Sequence, residues 1–519
     1  MKTHASLLRL SVTRFLAASL VAGSIVGGAA LVGAQGAAVG DFEASADIGA
    51  PRLPGSATYN AVSQEYRLSA AGVNMWGPRD EFQFVWKRLE GDFILQARVR
   101  FLGEGVDPHR KAGVIARTSL DADSPYADAA VHGDGLISLQ FRRTKGATTE
   151  EARPDVKGAD VVRLERKGST LTLSAARFGE PFTTSQVEGL ALGADVYVGL
   201  FLCSHNPDVV ESAVLRDVRL VRPAREGFVP YRDYIGSRLE ILDVQTGDAT
   251  VVHSSAEPFE APNWTQDGRA LIYNTSGRSE GRGRLHRFDL ATRQSSLIDT
   301  GTAVRNNNDH VLSFDGAWLG ISDQTAGDRQ SRVYTLPATG GTPKRITRLA
   351  PSYFHGWSPD GRTLVYTGGR NGEFDIYRIA ADGQGEETNL TRHPGLDDGP
   401  EYTPDGRYVY FNSTRGGTMQ IWRMKPDGAD PEQVTSDELN NWFPHVSPDG
   451  KWIVFITFPK EVPPADHPYY QRVTLRLMPI GGGTPKVIAY LYGGQGTINV
   501  PSWSPDGTML AFVSNTAME

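Results

Sequence analysis

The sequence predicts an all-β chain in which a β-sandwich is followed by a six-bladed β-propeller. Three observations predict it. The stretch Trp357-Ser358-Pro359-Asp360-Gly361 recurs five more times in variant form, its aspartates at 267, 315, 360, 405, 449 and 506. A period of about 45 residues, with a turn dipeptide between short apolar runs, is the sequence mark of a propeller blade. Between about 51 and 222, short alternating runs replace any helical period. The 57 glycines and 31 prolines suit strands and tight turns.

The N-terminus reads as a signal peptide over residues 1–34. Lys2, Arg9 and Arg14 precede an uncharged run, Phe15 to Ala34, that ends in Val32-Gly33-Ala34. An uncleaved anchor is the alternative, but the many glycines and the small-residue site favour cleavage. Its removal takes the net charge from −7 to about −10. An acidic chain offers no general field for nucleic acid, so that partner is not expected. The mature chain is expected to have no transmembrane segment and to be periplasmic or secreted. Cys203 is the single cysteine; it follows an apolar run and reads as a small buried hydrophobe.

Residues 35 to about 50 read as a linker. The sandwich domain is placed at 41–222, with strand runs at Phe82–Trp86, Phe93–Phe101, Leu136–Phe141, Val162–Arg166, Thr170–Ser174, Val196–Phe201 and Val214–Val221. His109, His132 and His205 lie in loop-like contexts without ligand spacing and read as surface histidines. The segment resembles the concanavalin-like jelly-roll domains of secreted bacterial proteins, on the runs Asn74-Met75-Trp76-Gly77, Gly91-Asp92-Phe93, Ala112–Arg117, Tyr197–Leu200 and Ala213–Leu220. That resemblance implies either carbohydrate binding or a structural, adhesive role.

Residues 223–236 read as a second linker. The propeller then covers 237–519. It opens with an outer hairpin, 237–253, and closes with an inner one, 501–515. The N-terminal strands are therefore expected to complete the last blade and remove both free sheet edges. In each Asp-Gly turn, Pro presets φ, Asp bonds neighbouring amides and Gly takes the positive φ, so these residues hold hairpins and carry no chemistry. With Trp or Tyr three residues before Asp in four of six repeats, the pattern resembles the TolB-type propeller repeat. The same repeats are similar to the propellers of prolyl-oligopeptidase-type enzymes, which carry a Gly-x-Ser-x-Gly hydrolase domain. No such motif is expected in this chain, since Gly356-Trp357-Ser358-Pro359 continues with Asp360, and a serine hydrolase is therefore not expected.

The segments leading into the inner strands should converge at one channel mouth, and they are polar. The candidate ligand-binding residues are Asn308, His310, Tyr353, His355, Glu401, Asn441, Trp442, His445, His467, Gln495 and Asn499. Imidazoles and a carboxylate suit a divalent metal, aromatics stack on a sugar, and amides read hydroxyls. A water-filled mouth is the bland alternative. The insertion Pro459–Arg472 reads either as a lid that carries His467 inward or as a surface loop.

The stretch Gln495 to Asp506 resembles oligogalacturonate lyases, manganese-dependent propellers that cleave acidic sugars by β-elimination. Gln495 matches their metal-binding glutamine, whereas two of their histidines fall on Ile498 and Val500. A metal site, for Mn or Ca, would therefore be built from His310, His355, His445 and Gln495. Two functions remain open at this stage. One is an exported protein that binds a glycan or an envelope protein at the propeller mouth. The other is a metal-assisted carbohydrate-active enzyme, with Arg415 or His467 acting on substrate; its catalytic residues are not assigned by the sequence.

Overall fold

The computed structural model describes residues 37–229, 231–276 and 283–518. Their regular structure is strand throughout, without an α-helix. The signal-peptide segment, 1–34, lies outside the described residues.

The N-terminal part holds two seven-stranded sheets. The first runs, in spatial order, Ala44–Ile48, Phe82–Glu90, Asp195–Cys203, Lys111–Arg117, Tyr126–His132, Ile137–Arg142 and Glu150–Ala152. The second runs Thr183–Val187, Thr170–Ala176, Val161–Lys167, Phe93–Leu102, Asn206–Val221, Glu65–Gly72 and Ser56–Asn60. Alternation in the strands sends one face of each sheet into a shared core. Leu95, Ala97, Leu171 and Leu173 from the second sheet meet Val114, Ala116, Leu139 and Leu200 from the first. Full burial of one such leucine stabilises by roughly 1.5–3 kcal/mol.

The linker reading of 35–50 needs correction. Ala44–Ile48 is an edge strand in register with Phe82–Trp86. Its small residues look like linker, yet Ala44 and Ile48 pack with Phe84 and Trp86 on the outer face of the sheet. Cys203 lies in the same cluster, and burial pushes its thiol up to about 11.

Six sheets form the propeller. Five are four-stranded, with innermost strands Phe259–Trp264, Asn306–Leu312, Ser352–Trp357, Asp397–Tyr402 and Asn440–Val446. In the sixth, Gly236–Asp243 pairs along its whole length with Met509–Thr516 and on its other side with Ala249–Ser255. A bridge from Trp503 to Leu510 adds the inner edge. The ring is thus closed by strands from opposite ends of the propeller sequence.

The six Asp-Gly turns repeat one set of bonds. Thr265, Ser313, Ser358, Thr403, Ser447 and Ser504 each donate their hydroxyl to the Asp two residues on, at 2.5–2.7 Å. Each Asp also accepts the amide two residues beyond it. The following glycines all have φ between +67° and +71°.

The outer face of the second sheet packs on the propeller. Arg219 pairs with the buried Glu240 at 2.7 Å, and Arg216 and Arg98 both reach Asp248. The guanidinium of Arg98 lies 3.8 Å from the ring centroid of Phe178. Phe182 packs on Tyr490, and the backbone amide of Val487 donates to Gly179. Tyr469, Tyr470 and Tyr492 cluster with Ile94 and Val221 beside the connecting segment.

Candidate functional site

At the end of the ring where the inner strands begin, a cavity of about 710 Å³ opens. Its floor is set by one repeat position, seven residues before the turn aspartate. That position is Glu260, Asn308, Tyr353, Asp398, Trp442 and Asn499 in successive repeats, and all but Trp442 line the cavity. The insertion in the fifth blade contributes Ala465, His467 and Tyr469, and the connecting segment contributes Tyr231 and Tyr234.

Charge in the cavity is organised around His355. Its Nε2 lies 3.3 Å from Asp398 Oδ1, and the imidazole is 6% exposed. Burial opposes its protonation, but the bond to Asp398 and the charges of Asp309 and Asp398 outweigh burial and raise its pKa. Burial likewise works against ionisation of Asp398, yet His355 carries it down to about 2. Thr367 Oγ1 and the Gly399 amide donate to the same Asp398 oxygen. Asp309 is pushed up to about 6, by burial first, with Asp398 adding and His355 opposing. Glu260 is raised by burial, though Tyr469 Oη and Asn308 Nδ2 donate to it at 3.0 and 3.1 Å. His467 is lowered by burial.

Six of the expected ligand-binding residues therefore share this cavity: Asn308, Tyr353, His355, His467, Gln495 and Asn499. Five do not. His310 is fully buried, with Nε2 donating to the carbonyl of Ile272 and Nδ1 in no hydrogen bond among the described residues. Burial holds it down to about 4, so it is a neutral packing residue between blades. Asn441 is sealed in a network with Gln420, Thr435 and Arg476. Trp442 is fully buried, its ring 4.4 Å from that of His467, and offers no face to a sugar. The neighbouring Phe443 lines the cavity in its place.

His445 and Glu401 lie deeper. His445 Nδ1 stands 2.6 Å from Glu401 Oε2, and its Nε2 stands 2.5 Å from the Ile498 carbonyl. Glu401 faces a second cavity, of about 180 Å³, at the other end of the inner strands. Trp264, Trp357, Tyr402 and Trp503 ring that end.

The metal set His310, His355, His445 and Gln495 does not assemble. Among the described residues, no three His, Cys, Asp or Glu side chains are placed to hold a metal ion. The imidazoles of His310, His355 and His445 are each committed to different protein partners. Arg415 pairs with the buried Asp397 at 2.8 Å and does not line the mouth. The surface reading of the N-terminal histidines holds for His109, which is exposed, and is corrected for His132, which is buried; His205 is half-buried. His109 lies 6.4 Å from His132 and 5.7 Å from His205, ring to ring.

Sequence reasoning passed over Glu260, Asp309, Asp398 and Tyr469. Aligning the repeats on their aspartates would have found Glu260 and Asp398, which share a position with Asn308 and Tyr353. The sequence also contains one Gly-x-Ser-x-Gly spacing, Gly277 to Gly281, contrary to the expectation that it has none. It falls wholly outside the described residues. The strands it connects, Ala270–Thr275 and Leu285–Asp289, are paired within one blade, which is not the strand-to-helix setting of a nucleophile elbow.

Comparison with known proteins agrees with this architecture. The TolB beta propeller domain model matches residues 349–466. The uncharacterized protein Atu1656 of Agrobacterium fabrum is 46% identical over 278 residues, 53% of this chain and 92% of its own length. The structure of a putative TolB from Agrobacterium tumefaciens is 44% identical and superposes with a TM-score of 0.52, over 55% of this chain and all of that one. The Tol-Pal system protein TolB of Bordetella pertussis is 28% identical over 151 residues, 28% of this chain and 32% of that protein. This chain thus spans about a third of the Tol-Pal relative. No helix among the described residues is long and apolar enough to cross a membrane. The repeats, the closed ring and these matches place the chain in the TolB-type β-propeller family.

Proposed function

We propose that this is an exported, periplasmic or secreted binding protein that takes a polar ligand, a glycan or a segment of an envelope protein, at the wide mouth of its propeller. One observation carries the reading. A 710 Å³ cavity with a polar floor is built from the same position of successive repeats and is roofed by an insertion found in one blade only. A volume of that size suits a specific ligand. The relative from Bordetella pertussis is by its name a protein of the Tol-Pal system, which supports a protein partner. The N-terminal sheets, read as a concanavalin-like jelly roll, serve in this view as a second contact surface.

The lyase alternative has less support. Stabilising an enolate beside a carboxylate needs a cation. Arg415 is held elsewhere, and the metal set is not formed.

Printed arrays of peptides and glycans test the reading. Ala465→Trp and Gln324→Trp fill the wide mouth from exposed or half-buried positions, whereas Gln266→Trp alters the opposite end. Array ligands should be lost in the first two variants and kept in the third. Retention of every ligand by both mouth variants sinks the proposal.

A further inference from the structure

Beneath the segment that joins Glu65–Gly72 to Phe82–Glu90, a lysine amine meets a side-chain amide. Lys111 is 2% exposed and projects from the outer face of the first sheet, between its register partners His132 and Cys203. Its Nζ lies 3.3 Å from Asn74 Oδ1 and 3.1 Å from Gln140 Oε1, both neutral acceptors. Burial lowers the pKa of this amine, and the charge of Asp128 opposes burial. The share of free amine is therefore raised, and only the free amine is a nucleophile.

Asn74 is set up to receive it. The Met75 amide donates to the same Oδ1 at 2.7 Å, which fixes the orientation of the side-chain amide and polarises its carbonyl. Asn74 is half-buried, so a small leaving molecule has a way out. Gln140 is less suited, because it is buried and its Nε2 is engaged with His132. A second observation is independent of these contacts. Asp128 stands opposite Gln140 on the same face, is fully buried, and has neither oxygen in a hydrogen bond among the described residues. Burial pushes it up to about 8 against the charge of Lys111, so it carries a proton at neutral pH. A buried acid left without partners is costly and asks for a role.

We propose that Lys111 and Asn74 join in an intramolecular isopeptide bond, with Asp128 carrying the proton between them. The lone pair of Lys111 Nζ attacks Asn74 Cγ and forms the new C–N bond, and the Met75 amide holds the oxyanion. Asp128 gives its proton to Nδ2 and takes one from Nζ. The Cγ–Nδ2 bond breaks and ammonia leaves. Nothing is oxidised or reduced, and no co-reactant enters. The product ties the loop that follows a strand of the second sheet to the central strand of the first. It closes the chain from 74 to 111, a restraint that a chain with one cysteine cannot obtain from an internal disulfide.

The full chain is digested with trypsin and read by tandem mass spectrometry. Wild type should yield a branched peptide that joins 68–79 to 111–117 and is lighter than the two together by about 17 Da, the mass of ammonia. Lys111→Met and Asn74→Ala should yield linear peptides only. Asp128→Asn should lower the share of the branched peptide at least about tenfold. Melting curves establish that the variants are folded, and if none folds the wild-type digest decides alone. Wild-type protein in which Asn74 and Lys111 are found only in linear peptides overturns the proposal. A branch from Lys111 to Gln140 or to Asp128 in place of Asn74 also overturns it. A branch that persists undiminished in folded Asp128→Asn overturns the role given to that carboxyl.

Discussion

Across the wide mouth, His355 Nε2 stands 3.3 Å from Asp398 Oδ1, and each side chain holds the other in its charged form. The carboxylate is drawn down to about 2, so its contribution is present above the unfolded value and is lost as the pH falls through about 2. The imidazole is raised, so its contribution is complete below about 6.5 and is lost as the pH rises through the higher folded value. The pair therefore stabilises most between about pH 4 and 6.5. Asp309 works against this, since its folded value of about 6 means that its burial costs stability as the pH rises from about 4 to 6. Asp398→Asn should cost about 3 kcal/mol in urea unfolding and bring the His355 titration, followed by NMR, below its wild-type value. An unmoved His355 titration would show that the pair is not coupled.

His310 gives a pH dependence of the opposite sense. It is neutral when folded, with a value of about 4, so the unfolded chain binds the extra proton between 4 and 6.5. Its contribution falls as the pH drops from 7 to below 4, by about 3 kcal/mol at most. His310→Gln should flatten the wild-type stability profile over that window. Equal slopes in thermal melts of the two proteins would contradict the assignment.

The ion pair between Arg219 and Glu240 joins the N-terminal sheets to the blade that closes the ring. Glu240 is 3% exposed and also accepts the Ser514 hydroxyl, so removing it strands a buried guanidinium. Glu240→Ala should cost about 3–5 kcal/mol. Arg219→Met Glu240→Leu should recover part of that loss, because it removes both partners together and leaves only Asp217 without the Arg219 charge beside it. Chemical denaturation of the two variants makes the comparison.

Two glycines distinguish backbone conformation from crowding. At Gly361, φ is +69° and a Cβ would meet nothing within 4 Å, so Gly361→Ala should cost only about 1–2 kcal/mol. At Gly113, in Lys111–Arg117, a Cβ would stand 2.0 Å from the Ala129 carbonyl oxygen. Gly113→Ala must push neighbouring strands apart and should cost well over about 3 kcal/mol, in the range reserved for overpacked cores. Similar melting points for the two variants would contradict this.

The architecture was legible because turns are local. Ser-Pro-Asp-Gly states its own conformation within five residues, and six copies state a ring. Side-chain direction was less legible. His310 and His355 stand at one repeat position, yet only His355 reaches the mouth. The innermost strands carry bulges at different places, between Asn306 and His310 in one and between Phe354 and Gly356 in the next. A bulge re-aims the side chains around it, so counting back from the turn does not preserve facing. Left-handed backbone at Ala261, Gly399 and Phe443 marks such kinks in three other repeats. Trp442 misled for another reason: an aromatic beside polar residues looks like a stacking platform until a loop from the same blade covers it. The edge strand Ala44–Ile48 was hidden by its small side chains, which read as linker and pack as a strand.

The pairing of Gly236–Asp243 with Met509–Thr516 has a consequence for biosynthesis. The first strand of the propeller emerges early and waits, its edge unsatisfied, until the final strand has been synthesised. Every blade between them must already be stacked at the correct angle for the two to meet. Completion of the circle is thus a proofreading step on the whole array, and a chain stopped before residue 509 carries an open seam that other strands can invade.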